Sequence, residues 1–469
     1  MSIVLNKHFV SFCEIEQILW KELRELFCQT LKELLEGLDQ KIFESRDKNK
    51  YKVCEVRDRE IETLVGPVKF KRRAYRDEET GQRTFLLDQA LKLAKRDRIS
   101  PGLVELVTQL GVTGPSYRQA RDNISKIFGE RIISHEAIRQ VVIQAGEKID
   151  QLEEKASITL QGQRKVPILF LEVDGLWVSL QQEKESSTEI RTMTSHEGWQ
   201  KRHESSKEYQ LKNQLHFTWD QKGDFWEEAS SYIEAHYDIE DTMVVINGDR
   251  AQWIRKGIEY FPQAIYQVDR YHIKRDIRAL LKNQPDKLEK ALQSFEESNT
   301  AGFLATIAEA ISAEKDQRIK NRLKALLNDL MTIPDSIRDY RKVLQEKGYN
   351  VTGLRGLGAA ESQIDRYSNR LKKRGQSWGK RGLHSMLSCL DAKFEGTLEP
   401  AVKLLRDTGE LLNKTQQKIK ASKIAEKITK DMVGHIRKGH FPVREAGRNT
   451  SGGLSMLARK LAHPAFTTL

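Results

Sequence analysis

Residues 167–175 are PILFLEVDG, an apolar run that ends in a carboxylate, Asp174. A second run, MVVINGD at residues 243–249, has the same form and ends in Asp249. Short, continuously apolar runs are typical of central strands that are covered on both faces. A helix-like segment, residues 224–237, lies between the two runs. The alternation of strands and helices predicts a mixed α/β layer.

The two strand-end aspartates are candidate functional residues. An ionised carboxylate at the edge of a core is costly unless it meets a cation, a metal or hydrogen-bond donors. One such aspartate on its own is more often the cap of a helix or the start of a turn. Ligands of open α/β sheets gather at the carboxyl ends of strands, so two such ends favour a shared site.

Two further motifs follow along the chain. In QVDRYHIK, residues 267–274, Asp269 and His272 share a face if a helix begins there, although an N-capping Asp beside an ordinary His has the same spacing. After a helical stretch that lacks strand signals, Glu361 precedes a basic segment, residues 362–382, with seven Lys or Arg and one acid. These positions add a third acid and a source of counter-charge.

The pattern of apolar residues in the N-terminal part differs from that of the two apolar runs. Apolar residues at helical spacing predict an amphipathic helix whose face needs a partner: Ile15, Leu19, Leu23, Leu26, Phe27 and Leu34. Alternation over residues 51–85 predicts a small antiparallel sheet, with turns at Gly66-Pro67 and at residues 79–81.

Several helices are predicted from Ser100 to about Asp150, the first with Ser100 as its N-cap. A turn over residues 129–134 precedes a helix that exposes Arg139. This pattern suits a helix-turn-helix that places its second helix in a DNA major groove. A plain helical bundle shows the same pattern, and the two interpretations stay open.

Composition narrows the class of protein. The chain has 469 residues, with 79 Lys and Arg against 67 Asp and Glu, a net charge of +12. The positive excess favours polyanionic partners, and the composition matches neither a disordered chain nor a membrane protein. Four cysteines without a C-x-x-C pair indicate a reducing compartment. Because no export signal is evident, we expect a cytoplasmic, nucleoid-associated protein without membrane contact.

Taken in order, the motifs LEVDG, INGDRAQWI, the D-x-x-H of QVDRYHIK and the ES…KRRGQSW block resemble DDE transposases of bacterial insertion sequences. The chain is most similar to the ISLre-two type, related to the mutator-like group. HEGW at residues 196–199 and FWEEA at residues 225–229 also resemble blocks of that family.

This resemblance implies an α/β fold with a ribonuclease-H-like mixed-sheet catalytic core and a helical insertion, preceded by an α+β N-terminal region. The expected domains follow in chain order: 1–95, N-terminal helix and small antiparallel sheet; 96–160, helical, the candidate helix-turn-helix for DNA binding; 161–280, first part of the core; 281–350, helical insertion; 351–400, last part of the core with Glu361; 401–469, basic C-terminal helices.

The resemblance also implies a catalytic triad of Asp174, Asp249 and Glu361 that holds two Mg²⁺ or Mn²⁺ ions, with Asp269 and His272 as the family signature. Hard cations prefer such oxygen ligands. Double-stranded DNA is the implied partner, and a homo-oligomer is expected when the element ends are joined. Candidate DNA-contacting residues are Arg250, Arg270, Lys373, Arg374 and Arg139.

Some alternatives remain open at the level of sequence. Competitors for the third ligand are Glu172, Glu309, Glu314 and Glu346. For Trp378 a place in the core is favoured over stacking on an unpaired base. The chain could also be a DNA-binding regulator without catalysis, or a ribonuclease-H-like nuclease that cuts without joining.

Overall fold

The computed structural model describes residues 11–94, 98–159, 162 and 164–407. The chain divides into two units, one of residues 1–141 with 402–469 and one of residues 142–401. Most of the basic C-terminal region predicted for residues 401–469 lies outside the described residues. In the described part of the chain, no helix has both the length and the hydrophobicity to cross a bilayer.

The first unit combines a long helix, a small antiparallel sheet and a group of shorter helices. Its described elements are α1 (Phe12–Ser45), β1 (Tyr51–Thr63), β2 (Gly66–Asp77), β3 (Arg83–Thr84), α2 (Leu86–Ala90), α3 (Pro101–Thr113), α4 (Tyr117–Phe128) and α5 (His135–Thr159), which continues into the second unit.

Helix α1 departs from the sequence prediction in one respect. It begins at a capping box of Ser11 and Glu14, and its second half packs Leu35, Leu38 and Ile42 into a core shared with the β1–β2 hairpin. The predicted apolar face of its first half is instead exposed, with Leu19 43% and Phe27 51% accessible. The helix exists, but the partner expected for that face is not among the described contacts.

The hairpin is confirmed with a shifted turn. Thr63 pairs with Gly66, so Leu64 and Val65 form the turn and Gly66-Pro67 already belongs to β2. The Gly66 φ of 140° explains why glycine occupies the first paired position after the turn.

Helices α3, α4 and α5 pack around one small core. Ser100 caps α3, as the sequence indicates. Ser116 caps α4, and Gly129 ends α4 in the left-handed conformation. Buried side chains from all three helices meet, among them Leu103, Ile124 and Ile138. The packing is that of a three-helix unit.

The second unit is built on strands followed by helices. Its strands are β4 (Arg164–Lys165), β5 (Ile168–Ser179), β6 (Ser187–His196), β7 (Trp199–Lys201), β8 (Tyr209–Leu211), β9 (Leu215–Trp219), β10 (Tyr237–Asp238), β11 (Met243–Gly248) and β12 (Ala264–Val268). Its helices are α6 (Phe225–His236), α7 (Gln252–Arg255), α8 (Arg270–Leu280), α9 (Pro285–Glu296), α10 (Thr300–Ala313), α11 (Gln317–Met331), α12 (Tyr340–Glu346), α13 (Ala359–Leu371), α14 (Lys380–Glu395) and α15 (Leu398–Asp407), which continues into the first unit, with 3₁₀ turns at Lys256–Tyr260 and Pro334–Ile337.

The central sheet has five strands in the order β12-β11-β5-β6-β9. β5, β6 and β9 are antiparallel, whereas β11 pairs parallel with β5 and β12 parallel with β11. Residues 209–219 form two strands, β8 and β9, of which β8 pairs with β7 outside this sheet. The mixed sheet confirms the α/β prediction.

Both faces of the sheet are covered, as the continuously apolar strands require. One face of β5, with Leu169 and Leu171, packs in a core with α6, α8 and the helices α9 to α11. The other face, with Ile168 and Phe170, packs against Tyr340 of α12, and α13 also lies against β5. The helices α9 to α12 follow the last strand and precede Glu361 in the chain, within the range 281–350 predicted to be helical.

Candidate functional site at the carboxyl edge of the sheet

Three aspartates lie at the same level of three neighbouring parallel strands. Asp249 and Asp269 directly follow β11 and β12, whereas Asp174, expected at a strand end, lies inside β5, which continues to Ser179 as it pairs with β6. Gly248 is paired with Val173 on one side and with Val268 on the other. The next residues are Asp249, Asp174 and Asp269; we call them the edge carboxylates. Neighbouring strands lie about 4.8 Å apart. The register therefore sets the edge carboxylates side by side at the level where β11 and β12 end.

Asp174 and Asp249 each have one oxygen engaged and one available. Oδ1 of Asp174 accepts from the Gly175 N–H at 2.7 Å, and Oδ1 of Asp249 accepts from the Ala251 N–H at 2.8 Å. Within the described part of the chain, neither Oδ2 has a hydrogen-bond donor. No three His, Cys, Asp or Glu side chains among the described residues are grouped closely enough to hold an ion as they stand.

The electrostatics of the edge favour a cation. Burial raises the pKa of Asp174 to about 6, the Gly175 N–H opposes this rise, and the charge of Asp249 adds to it. His272 acts in the opposite direction and Asp269 in the same direction as Asp249. A positive charge at this edge would offset the cost of burying the ionised Asp174 carboxylate and would reduce its repulsion by Asp249 and Asp269.

Asp269 and His272 occupy the beginning of α8. Oδ1 of Asp269 accepts from the N–H groups of Tyr271 and His272, so Asp269 is the N-cap of the helix. Nδ1 of His272 lies 3.9 Å from Oδ2 of Asp269. Asp269 thus has a structural function, and it also stands in line with the other edge carboxylates.

Glu361 and Glu172 have contrasting environments. Glu172 is 2% exposed, and its Oε2 accepts from the N–H groups of Gly358 at 2.9 Å and Ala360 at 3.1 Å, which fixes the start of α13 on β5. Its Oε1 lies 3.3 Å from Nε2 of His196. Glu361, in the first turn of α13, is exposed and has no partner among the described residues.

The contacts of Glu172 place the first turn of α13, which carries Glu361, on the same face of β5 as Glu172. Side chains two apart on a strand share a face, so Glu172 and Asp174 lie on the same face of β5. The helix that carries Glu361 therefore begins over the face that carries Asp174. The other competitors are engaged elsewhere: Glu309 with Lys290, Glu314 with Gln284 and Glu346 with Arg338.

The basic residues beside the aspartates hold the insertion in place. Arg250 forms ion pairs with Asp329 at 2.7 Å and Asp276 at 3.1 Å. Arg270 donates to the backbone carbonyls of Ile337 and Phe295 at 3.0 and 2.9 Å, and its side chain is only 13% exposed. The structure gives both residues internal partners and does not present Arg270 openly to solvent.

The remaining candidate DNA contacts are more open. Lys373 is paired with Asp365 on α13, and Arg374 is exposed beyond the end of that helix. Arg139, in the first unit, is partly exposed and paired with Glu136. Trp378 is 6% exposed and donates from Nε1 to the Leu371 carbonyl, which confirms a place in the core.

Sequence reasoning missed a second group of acids, which we call the inner carboxylates: Asp391, Glu395 and Glu153. They lie on α14 and α5. Burial is the main cause that raises the pKa of Glu153 to about 8, and the charges of Asp391 and Glu395 raise it further. As single polar positions in long helices, they carry no motif that could reveal their proximity.

The fold and this edge define a mixed α/β protein with aligned carboxylates at the carboxyl end of a mixed sheet. The chain belongs to UPF0236, an uncharacterised protein family, whose model matches residues 5–407.

Two relatives illustrate the family. A UPF0236 protein in the vanSb 3′ region of Streptococcus gallolyticus is 30% identical over 396 residues, covering 82% of this chain and 84% of the relative. A UPF0236 protein of Caldanaerobacter subterraneus subsp. tengcongensis is 26% identical over 367 residues, covering 76% of this chain and 72% of the relative. The name of the second joins eleven designations of one series.

One similar solved structure is the strand transfer complex of the Drosophila P element transposase. It has 12% sequence identity and a TM-score of 0.24, covering 76% of this chain and 89% of that chain. A TM-score of this size does not establish a shared fold.

Proposed function

We propose that this protein is the transposase of a bacterial insertion sequence, which cuts DNA at the ends of the element and joins them to target DNA. The observation that carries the proposal is the register that aligns Asp174 with Asp249 on adjacent parallel strands. Two carboxylates with available oxygens at the carboxyl end of a sheet form a site for phosphoryl transfer assisted by divalent cations.

The topology supports a ribonuclease-H-like core. Three antiparallel strands, β5, β6 and β9, are extended by the parallel strands β11 and β12 on the side of β5. In order of appearance, these five strands lie as 5-4-1-2-3, which is the strand order expected of that core. The helices α9 to α12 precede Glu361, as the resemblance to the ISLre-two type implies.

The name of the second relative supports the proposal that the coding sequence belongs to a mobile genetic element. Its name joins eleven designations in one strain, which we interpret as one coding sequence present in many copies. Many copies in a single genome are expected of a protein encoded by an element that inserts itself repeatedly.

The donor set suits Mg²⁺ or Mn²⁺. Asp174, Asp249 and Glu361 would be the ligands, and all three offer carboxylate oxygens, which these hard cations prefer. When bound, the ions would supply Lewis-acid stabilisation of the charge on the phosphate oxygens and would make the attacking hydroxyl more acidic.

The chain's own residues prepare the site. The N–H groups of Gly175 and Ala251 orient Asp174 and Asp249 by holding one oxygen of each. Glu172 anchors the start of α13, and Glu361 can turn toward the edge without breaking a bond to a described residue.

The proposed reactions need no covalent protein intermediate. In cleavage, a water oxygen bonds to phosphorus and the bond from phosphorus to the 3′ oxygen breaks, which leaves a 3′-hydroxyl on the element. In joining, that hydroxyl bonds to a phosphorus of the target, and a target 3′-hydroxyl leaves.

The partner is double-stranded DNA. The net charge of +12 supports binding to phosphates, and the three-helix unit of α3, α4 and α5 offers a helix-turn-helix with Arg139 near the start of its last helix. Lys373 and Arg374 are further candidates for backbone contacts. We expect the protein to act as a homo-oligomer on DNA in the cytoplasm, at the nucleoid.

The test is simultaneous replacement Asp174→Asn and Asp249→Asn in the full chain, assayed on DNA carrying candidate element ends with Mg²⁺. We expect cleavage to fall by at least about 10³-fold, because several kcal/mol of charge stabilisation is removed, whereas DNA binding is retained. Asp286→Asn with Asp335→Asn, two exposed acids of the helical region, is the control with the same charge change.

Three results would separate the alternatives. Cleavage that survives in the Asp174→Asn, Asp249→Asn variant would refute the site. DNA binding without any cleavage by the wild type would indicate a regulator. A pre-cut end with a free 3′-hydroxyl that is never joined to target DNA would indicate a nuclease.

A further inference from the structure

Three cations, Arg366 and Arg370 of α13 and Lys393 of α14, lie where these two helices meet. The guanidinium carbon of Arg366 is 3.8 Å from the centre of the Phe394 ring, and Nζ of Lys393 is 5.6 Å from the same centre. Arg370, one turn after Arg366, stacks on Trp378 at 5.0 Å.

Arg366 and Lys393 have no carboxylate to balance them. Within the described residues, neither forms an ion pair, and the hydrogen bond found for Arg366 goes to the neutral amide oxygen of Gln363 at 2.5 Å. The nearby carboxylates of Asp391 and Glu395 on α14 are already engaged. Their donors are hydroxyl and N–H groups of Tyr367, Thr218, Tyr232 and His216.

The unbalanced charge affects the surrounding groups. Burial lowers the pKa of Lys393, and the charges of Arg366 and Arg370 lower it further. Burial also lowers the pKa of Arg366. The pKa of His216 is lowered to about 3, mainly by burial and then by Arg366. Partly buried cations without a counter-charge destabilise a fold, so an anion at this position would stabilise it.

We propose that Arg366 and Lys393, in the electrostatic field of Arg370, bind a phosphate group. A guanidinium whose face is held on an aromatic ring can donate from its edge to two phosphate oxygens, and a lysine supplies a mobile point charge beside it. The phosphate belongs either to a DNA backbone or to a small phosphorylated molecule. Only the DNA source rests on the proposed function.

The first experiment measures thermal unfolding of the full chain against increasing inorganic phosphate, at constant ionic strength. The variants are Lys393→Met, which keeps the apolar stem, and Lys393→Met with Arg366→Gln. Matched controls on α11 are Lys324→Met and Lys324→Met with Arg322→Gln, at exposed positions. We expect phosphate to raise the Tm of the wild type and of the controls, because a ligand of the native state stabilises it.

In the Lys393→Met, Arg366→Gln variant, the phosphate concentration that gives half of the Tm increase should rise at least about tenfold, which is the loss of about 1.4 kcal/mol of binding free energy. Without phosphate, Lys393→Met should unfold at the wild-type Tm or above it, because a repelled, partly buried charge is gone. A Tm that falls without phosphate, or an unchanged phosphate response, would overturn the proposal. Because Lys393→Met preserves the stacking of Arg366, it tests the site even if loss of Arg366 impairs folding.

The second experiment identifies the source. Duplex DNA binding is measured over a range of salt concentrations for the same variants. One lost backbone contact should lower the slope of log K against log salt by about 0.9 relative to the matched control. A slope equal to the control, with the phosphate response lost, would assign the site to a small phosphorylated molecule. Failure of the Asp174→Asn, Asp249→Asn test would leave the phosphate result standing.

Discussion

The edge carboxylates and the inner carboxylates are both close groups of acids, but they differ in what their oxygens already bind. Both oxygens of Asp391 accept from hydroxyls, Oδ1 from Tyr367 at 2.5 Å and Oδ2 from Thr218 at 2.7 Å. Asp174 and Asp249 each keep Oδ2 without a described donor. Proximity of acids alone therefore does not distinguish a metal site, and the proposed site rests on the unused acceptor capacity of the edge carboxylates.

The difference in solvation points the same way. Burial raises the pKa of Asp391 to about 7, and its hydroxyl partners can serve the protonated or the ionised form. The inner carboxylates thus have a way to exist without a metal, because they can take up protons. Asp174, whose partner is a backbone N–H, depends more on a cation.

The contrast between the edge carboxylates and the inner carboxylates is tested most directly at Glu361, the proposed third ligand. We expect Glu361→Gln to reduce metal-dependent cleavage by about 10³-fold while changing the free energy of unfolding by less than about 0.5 kcal/mol, since the side chain is exposed. Cleavage assays and urea unfolding give the two numbers.

The matched variant is Glu172→Gln, on the same face of the sheet. Its carboxylate accepts two backbone N–H bonds in a buried position, so the charge-neutral amide should cost about 1–3 kcal/mol of stability. If Glu361→Gln left cleavage intact, or if it destabilised the protein as much as Glu172→Gln, the assignment of the third ligand would be wrong.

The substitution Asp391→Asn tests the inner carboxylates, and its expected effect is smaller than that of Glu361→Gln. The amide replaces one acceptor of a buried pair of hydroxyl bonds by a donor, so we expect a loss of about 1–3 kcal/mol in the free energy of unfolding. Cleavage per folded molecule should stay within about threefold of the wild type. A loss of cleavage comparable to that of the Asp174→Asn, Asp249→Asn variant would show that the inner carboxylates, and not the edge carboxylates, hold the metal.

Much of the edge could be predicted from sequence, because the information is local. The apolar runs before Asp174 and Asp249 identify two buried strands, and parallel pairing of these strands brings the two aspartates to the same level. The sequence pattern does not show that β5 continues past Asp174 to Ser179. The extra alignment of Asp269 needs the register of β12, which no local pattern fixes.

What could not be predicted depends on distant contacts. Glu172 accepts hydrogen bonds from Gly358 and Ala360, which lie 186 and 188 residues further along the chain. Only these bonds distinguish Glu172, which anchors a helix, from Glu361, the proposed metal ligand. The charges of Arg250 and Arg270 look available in the sequence, but the helical insertion supplies Asp329 to Arg250 and the Ile337 carbonyl to Arg270. The imbalance around Lys393 likewise arises only when α13 and α14 are packed together.

The smallest expected effect is the pH dependence of stability. The pKa of Glu153 is raised to about 8 and that of Asp391 to about 7, both chiefly by burial, whereas unfolded carboxyl groups ionise near pH 4. Between pH 4 and 8 the folded state therefore binds more protons than the unfolded state, and stability falls as pH rises through the folded pKa values.

The window from pH 6.5 to 8 is the informative one. The pKa of His216 is lowered to about 3. Its titration therefore reduces the stability of the protein only below this window, as pH falls from 6.5. His384, held between Asp150 and Asp220 with a pKa raised to about 10, contributes a fall in the same direction as the inner carboxylates. The test is therefore the difference in slope between proteins that all retain His384.

We expect the free energy of unfolding of the wild type to decrease across this window by on the order of 1 kcal/mol more than that of Glu153→Gln with Asp391→Asn, measured by urea unfolding. Asp286→Asn with Asp335→Asn, which removes exposed acids, should keep the wild-type slope. Equal slopes in all three proteins would mean that the inner carboxylates are ionised like exposed acids. They would then need a cation of their own, and the contrast with the edge carboxylates would no longer hold.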